Sequence, residues 1–407
     1  MKILFANKFF YPKGGAEISL FTTTALLEQQ GHTISYFAMQ HPQNLPSGYS
    51  TYFVSSVDYE TGHGLLQQLK TTGRLLYSFE AKQKILHLIK SEKPDIAHLN
   101  NIYHQISPSI IDTLKKERIP IVMTLRDYKL TCPVYTHLSQ NRVCEECRQH
   151  RFYRVLVNRC TKSSIPKSMV NMLEMYLHHS LLQIYHKVDC FIAPSRFLMD
   201  KTIELGFKGR IVYLPNFIDT SSYPPVYQAT ENSIVYFGRL SEEKGLITLL
   251  DAVKGLDIQL KIIGDGPQKE RLFSKVEQEK ITHVSFLGHK NNEQLIPEIQ
   301  RAIAVVIPSE WYENNPRAII ESFALGKPVI GSNIGGIPEL VRDNETGFLF
   351  SPGNSCELKE KIMQLVQQPD RILRLGKNAR AFVETNLNPV KHYETLMSIY
   401  QSVINQT

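Results

Sequence analysis

Short apolar runs alternate with amphipathic helical stretches along this 407-residue chain, and the alternation happens twice. In the first half, residues 2–6, 33–38, 95–99, 119–125, 189–193 and 211–214 have the length and composition of strands buried on both faces. Helices are predicted between them at 16–30, 75–90, 107–117, 167–187 and 195–205. A polar stretch at 215–232, with Pro215, Pro224 and Pro225, reads as a linker. The pattern then restarts with strands at 234–237, 260–263, 284–287 and 302–308. Repeated strand–helix–strand units predict an α/β chain with two doubly wound domains, 1–214 and 215–384, and ligands at the carboxyl ends of their strands.

A chain of this length supports two separate cores, and 42% apolar with 21% charged residues is ordinary for a globular protein. There is no run of about 18 apolar residues, and the start MKILFAN lacks a basic flank and a small-residue cleavage site, so the expected location is the cytoplasm. Charge is uneven. Residues 1–213 hold 26 Lys and Arg against 16 Asp and Glu, or +10; residues 214–407 hold 20 against 23, or −3. A basic first half suits a phosphate-rich surface. Aromatic–basic interleaving of the RNA-binding kind is absent, which argues for anionic lipid or a lipid-linked phosphate at the inner face of the membrane rather than nucleic acid. The basic, amphipathic helix at 75–90 is either a plain cover for a sheet or a membrane contact.

The most informative polar segment is E-W-Y-E-N-N-P-R-A-I-I-E, residues 310–321, which follows a strand and opens a helix at Pro316. Unpaired backbone N–H groups and the positive dipole end collect there, so an anion is expected beside Asn314, Asn315 and Pro316. Glu313 and Glu321 bracket the turn. Carboxylates beside an anion site are useful where they accept hydrogen bonds from neutral hydroxyls, as a phosphate-bearing sugar offers. Upstream, Gly238-Arg239 and Lys244 flank a loop at the end of a strand, so that two cations can meet one diphosphate. Gly264-Asp265-Gly266-Pro267 and Gly288 follow the next strands, and Gly14-Gly15 follows the first; such glycines admit close backbone approach. In the first half, His98, Asn100, Asn101, Tyr103 and His104 follow one strand, and Arg126, Asp127, Tyr128 and Lys129 follow its neighbour, an arrangement suited to an acceptor pocket.

Four of the six cysteines, Cys132, Cys144, Cys147 and Cys160, are spaced C-x11-C-x2-C-x12-C. In a reducing compartment this spacing fits either a structural zinc cage or free thiols.

Taken together, G-G-A-E at 14–17, G-R-L-S-E-E-K-G at 238–245, G-D-G-P at 264–267, E-N-N-P-R-A-I-I-E at 313–321 and G-G-I-P-E at 335–339 resemble the retaining GT-B glycosyltransferases of family four, in a subgroup with a four-Cys insert. The resemblance implies two Rossmann-like domains facing across a cleft, with residues from about 385 crossing back to the first. It implies transfer of a hexose-type sugar from a nucleoside diphosphate sugar, with retention and no required cofactor, to a saccharide or lipid-linked acceptor in cell-surface polysaccharide or glycolipid synthesis. Arg239, Lys244 and Glu313 would be catalytic. Gly14, Gly15, Gly238, Gly264, Asp265, Gly266, Gly288, Asn314, Asn315, Pro316 and Glu321 would hold the donor, and His98, Asn100, His104, Arg126 and Asp127 the acceptor. One departure stands out: T-L-R-D-Y puts Arg126 where many relatives carry histidine, and an arginine cannot accept a hydrogen bond. Two rivals follow, a non-catalytic nucleotide-sugar or lipid-binding partner of another transferase, and a sugar-nucleotide epimerase or phosphorylase of the same fold.

Overall fold

The computed structural model describes residues 1–56 and 72–406. Part of the stretch between the second predicted strand and the helix predicted at 75–90 therefore lies outside the described residues. Two compact units account for the chain: Met1–Ser139, Cys144–Leu214 and Tyr393–Thr407 form one, and Gln140–Val143 with Pro215–His392 form the other.

The first unit is built on a parallel sheet. Its strands are β1 (Lys2–Ala6), β2 (Thr33–Phe37), β3 (Ile96–Leu99), β4 (Ile121–Thr124), β7 (Cys190–Ala193) and β8 (Ile211–Tyr213); between β4 and β7 in sequence lie the two-residue strands β5 (Leu138–Ser139) and β6 (Arg142–Val143), of which β6 is grouped with the other unit. Their order is β2-β1-β3-β4-β7-β8. Ile3, Phe5, Ile34, Ile96, Val122 and Ile192 pack one face, and the last helix, Pro389–Ile404, completes it with Leu396, Ile399, Tyr400 and Val403. The return to this unit begins at Tyr393, somewhat later than 385, because Leu387 is still part of the second unit's core.

The predicted helix at 75–90 forms at Phe79–Glu92, where the Ser78 hydroxyl caps its first turn by accepting from Ala81 N. Its apolar residues Ala81, Ile85, Leu88 and Ile89 are buried against the sheet. The helix predicted at 167–187 is broken. It runs over Ile165–Tyr176, widens at Leu177–Leu181, and stops where Gln183 takes a left-handed conformation, φ 46°.

The second unit repeats the scheme with β9 (Ser233–Phe237), β10 (Gln259–Ile263), β11 (Val284–Gly288), β12 (Ala304–Ile307), β13 (Val329–Ser332) and β14 (Gly347–Phe350), ordered β11-β10-β9-β12-β13-β14. Every recorded pairing in both large sheets is parallel, so crossover helices cover both faces and most strand residues are apolar. Each unit is thus a Rossmann-like doubly wound domain. The 215–232 segment is not a loose tether. Ile218 is buried in the core, and the Arg380 guanidinium fastens the segment by donating to the carbonyls of Thr220 at 3.3 Å and Tyr223 at 2.6 Å. Among the described residues no helix is long and apolar enough to cross a membrane.

His98 proves to belong to this core rather than to a pocket. Inside β3 it stacks on Phe5, with ring centroids 4.8 Å apart, and hydrogen-bonds Tyr400 Oη through Nδ1 and Thr124 Oγ1 through Nε2, both at 2.6 Å. The imidazole is 4% exposed, and its two nitrogens tie the last helix to the sheet. Its expected acceptor role is corrected accordingly: the residue lies within a strand buried on both faces, not beyond the strand's end. Tyr400→Phe strands a buried imidazole nitrogen, so it is expected to lower the stability of the first unit by about 1–3 kcal/mol. Urea unfolding followed by hydrogen exchange at β3 amides measures this.

Candidate functional site

The second unit's site grows from backbone contacts between turns at the carboxyl ends of its strands. The chain leaves β9 at Gly238, β10 at Gly264 and β11 at Gly288, and these turns are stitched edge to edge: Gly238 N donates to Ile263 O at 3.0 Å, Leu240 N to Asp265 O at 2.9 Å, and Gly264 N to Gly288 O at 2.8 Å. At Gly264, with φ +142°, a side chain would meet Gly238 O at 1.9 Å, so only glycine lets the two turns touch. Asp265 points outward. Its carboxylate accepts from Gly266 N at 2.8 Å and lies 3.6 Å from Lys269 Nζ.

The cationic loop docks on the exit of β12. Gly245 takes φ +66°, and a Cβ there would stand 1.9 Å from Pro308 O, while Glu310 N donates to Glu243 O at 2.9 Å. This seat aims Lys244 at Glu313. Lys244 Nζ lies 2.6 Å from Glu313 Oε1, Ser309 Oγ donates to the same oxygen at 2.6 Å, and the ammonium stands 5.2 Å from the Trp311 ring centroid. Burial alone would raise the Glu313 carboxyl, but the Lys244 charge and hydrogen bond, with that of Ser309, outweigh it and hold the group below the usual carboxylate range. Glu313 O in turn accepts from Gly336 N at 2.8 Å, and a side chain at Gly335 would strike the Glu313 backbone at 2.5 Å. The G-G-I-P-E turn is thus the floor under Glu313. Arg239, at the other end of the cationic loop, is exposed, and no ion pair is recorded for it among the described residues.

Pro316 is the cap of the helix rather than its first residue: with ψ at 116° it remains extended, and the helix runs over Arg317–Ala324. Proline fixes φ but leaves ψ to the preceding turn. Asn315 anchors that turn, its side-chain oxygen accepting from Asn216 N at 3.2 Å, while its buried Nδ2 has no partner among the described residues. Glu321 pairs with Arg317 at 3.2 Å. Burial raises its carboxyl, only partly offset by that guanidinium.

In the first unit, Gly14 caps the helix Gly15–Gln29 in an extended conformation, and the predicted polar residues gather where β1, β3 and β4 end. Arg126 Nε donates to Asn100 Oδ1 at 3.2 Å, and the buried Asn100 Nδ2 has no partner among the described residues. Burial pushes the Asp127 carboxyl up to about 6, opposed by the Lys129 amide and by the charges of Lys129 and Lys8. His104 is turned toward a buried charge cluster, with Nε2 at 3.3 Å from Glu174 Oε2, which is also 2.7 Å from the fully buried Lys129 Nζ. Burial would raise Glu174, but Lys129 and His104 hold it far below the usual range. His104 thus takes part in this charge network while its side chain stays 23% exposed.

Several members of these sites were not singled out from sequence. Ser309 and Trp311 flank Glu313, and Glu310 accepts from Thr248 Oγ1 at 2.5 Å. Beside Arg126 stand Lys8, Lys13 and Glu17. Burial raises Glu17, countered by its own amide, Asn7, Arg126 and Lys13. The two lysines at either end of K-F-F-Y-P-K were the available signal.

The four insert cysteines are all free, and all four line one small cavity together with His137, Leu138 and Val155. Among the described residues no group of three or more His, Cys, Asp or Glu stands at metal-holding spacing.

Replacing Lys244 by Met leaves a buried carboxylate alone and should cost the second unit about 3 kcal/mol at neutral pH. Since the pairing depresses the folded Glu313 pKa, its contribution is present above the unfolded carboxylate range and is lost as pH falls through the folded value. A urea titration read by Trp311, the only tryptophan in the chain, measures both effects, and adding Glu313→Gln should restore most of the loss.

The chain is similar to known proteins. The family model for glycosyl transferases group 1 matches residues 222–382, and that for Glycosyltransferase Family 4 matches residues 13–222. An uncharacterised glycosyltransferase of Methanocaldococcus jannaschii is 28% identical over 194 residues, which are 48% of this chain and 54% of that protein; the chain thus spans about half of that relative's length. An uncharacterised 42.6 kDa protein from the cps region of Klebsiella pneumoniae is 25% identical over 358 residues, 84% and 88% of the two chains. Among solved structures, sucrose-phosphate synthase of Thermosynechococcus elongatus superposes with a TM-score of 0.75 at 20% identity over the full length of both chains. Anabaena HepE, in complex with UDP and glucose, gives 0.70 at 19% identity, covering 99% of this chain and 100% of that one. The chain belongs to Glycosyltransferase Family 4, and its architecture is GT-B.

Proposed function

We propose that this chain transfers a hexose-type sugar from a nucleoside diphosphate to a saccharide or lipid-linked acceptor, with retention, in cell-surface polysaccharide or glycolipid synthesis at the cytoplasmic face of the membrane. The observation that carries the reading is the Lys244–Glu313 pair, set at the head of a helix and beside turns whose glycines bare their backbone. Breaking the sugar–phosphate bond leaves negative charge on the diphosphate and positive character on the ring. Lys244, Arg239 and the amides at the start of the Arg317–Ala324 helix meet the first; Glu313 accepts hydroxyls of the sugar. The acceptor oxygen attacks the face from which the diphosphate departs, its electron pair forming the new glycosidic bond. Its proton passes to a phosphate oxygen, so no protein nucleophile is consumed. HepE was crystallised with UDP and glucose, which favours UDP as the nucleotide here. The neighbouring Asn100, Arg126 and Asp127 suit an acceptor rich in hydroxyls.

A donor screen tests this: nucleoside diphosphate release is followed for each sugar nucleotide with membrane extract as acceptor source. Turnover is expected with one UDP-sugar or a close relative. Lys244→Ala should lower kcat by about 100-fold or more, and Glu313→Gln should impair transfer while leaving UDP quenching of Trp311 fluorescence nearly intact. Wild-type turnover by the Glu313 variant would refute its role.

For the insert we propose a structural zinc, favoured by four thiols on one cavity with the amides of Val134, Thr136 and His137 directed at the Cys132 sulfur. The ion would draw these sulfurs inward as thiolates. Elemental analysis of freshly reduced protein should find one zinc per chain, and Cys144→Ser/Cys147→Ser should remove it; metal-free wild type would end the proposal.

A further inference from the structure

The helix Ile165–Tyr176 has its faces reversed. Inward it buries Met175 and otherwise polar side chains: Ser168 Oγ accepts from Thr161 N at 3.2 Å, Asn171 Nδ2 donates to Thr161 Oγ1 at 2.9 Å, and Glu174 joins Lys129. Outward it shows Ile165, Met169 and Leu173, spaced i, i+4 and i+8 on one stripe and 46%, 43% and 49% exposed. Val157, 62% exposed, ends the short helix Arg154–Val157 that packs beside it, and Leu181, 77% exposed, lies in the widened turn that follows. A helix that only covers a core would turn its apolar side in and its polar side out, and clustered exposed apolar side chains mark an interaction surface.

The surrounding charge identifies the partner. From Arg148 to Leu173 there is no Asp or Glu, but there are Arg148, Arg151, Arg154, Arg159, Lys162 and Lys167. Glu146, just upstream, pairs with Arg154 at 3.7 Å, and Glu174, just downstream, is fully buried. A second copy of this chain would bring the same positive rim against itself, which like-charge repulsion disfavours. An apolar stripe whose rim carries six cations against the one exposed carboxylate of Glu146 is complementary to acyl chains beneath anionic headgroups. The helix Phe79–Glu92 offers no such stripe, since Ala81, Ile85, Leu88 and Ile89 are committed to the core.

We propose that this outward stripe, with its basic rim, docks the first unit peripherally on an anionic lipid bilayer. The inference does not depend on the transferase reading, because binding to a membrane requires neither donor nor turnover.

Full-length protein is sedimented with vesicles of phosphatidylcholine alone or mixed with phosphatidylglycerol. Wild type is expected to bind the anionic vesicles and to release from them with rising salt. Met169→Glu/Leu173→Glu and, separately, Arg151→Glu/Arg159→Glu should each weaken binding by about tenfold or more, with unchanged urea midpoints showing that the variants fold. Wild type that ignores anionic vesicles, or variants that bind as well as wild type, would overturn the proposal. So would a concentration-dependent dimer in sedimentation equilibrium that Met169→Glu/Leu173→Glu abolishes, since that assigns the face to a second copy.

Discussion

A carboxylate removed from water must find a cation or lose its charge, and Glu313 meets this constraint through Lys244. Much of the second unit's functional edge is the geometry needed to bring these two together. Gly245 lies flat on Pro308 so that the cationic loop can reach the exit of β12, and Gly335 lies flat under Glu313 so that the carboxylate is supported from below. Under the donor role proposed for it, the pair also explains how the edge can wait for an anionic ligand. Lys244 without a partner would be mobile and hydrated, whereas held at 2.6 Å from Glu313 it is already oriented, and an arriving phosphate competes for a charge whose place is fixed.

The first unit satisfies the same constraint differently. Lys129 and Glu174 are both fully buried and neutralise each other, with His104 alongside. The network is joined to Asp127 through Lys129, whose amide donates to Asp127 Oδ1 at 3.0 Å. The buried side-chain nitrogens of Asn100 and Asn315 have no partner among the described residues.

The architecture was legible because buried parallel strands are written as continuous apolar runs, and 2–6, 234–237 and 260–263 could hardly be anything else. Helices were read less well where their signal was polar: Lys269–Gln278 and Asn292–Arg301 carry mostly charged and amide side chains and went unpredicted. Glycine-flanked motifs located the donor-side edge because φ and close approach leave few alternatives to glycine. Histidine was the weakest guide. His98 and His104 sit in sequence where a pocket residue would, yet one is held in the core by Tyr400, 302 positions away, and the other by Glu174. Partners so distant leave no local trace.

The closing helix gives the chain an order of assembly. β8 ends at Tyr213, but the layer that seals its sheet does not begin until Tyr393. A nascent chain emerging from the ribosome therefore holds one apolar face of its amino-terminal sheet covered only in part, by Leu20 and Leu27 of the first helix, while the whole of the following unit is synthesised. The amino-terminal half is the last to be finished.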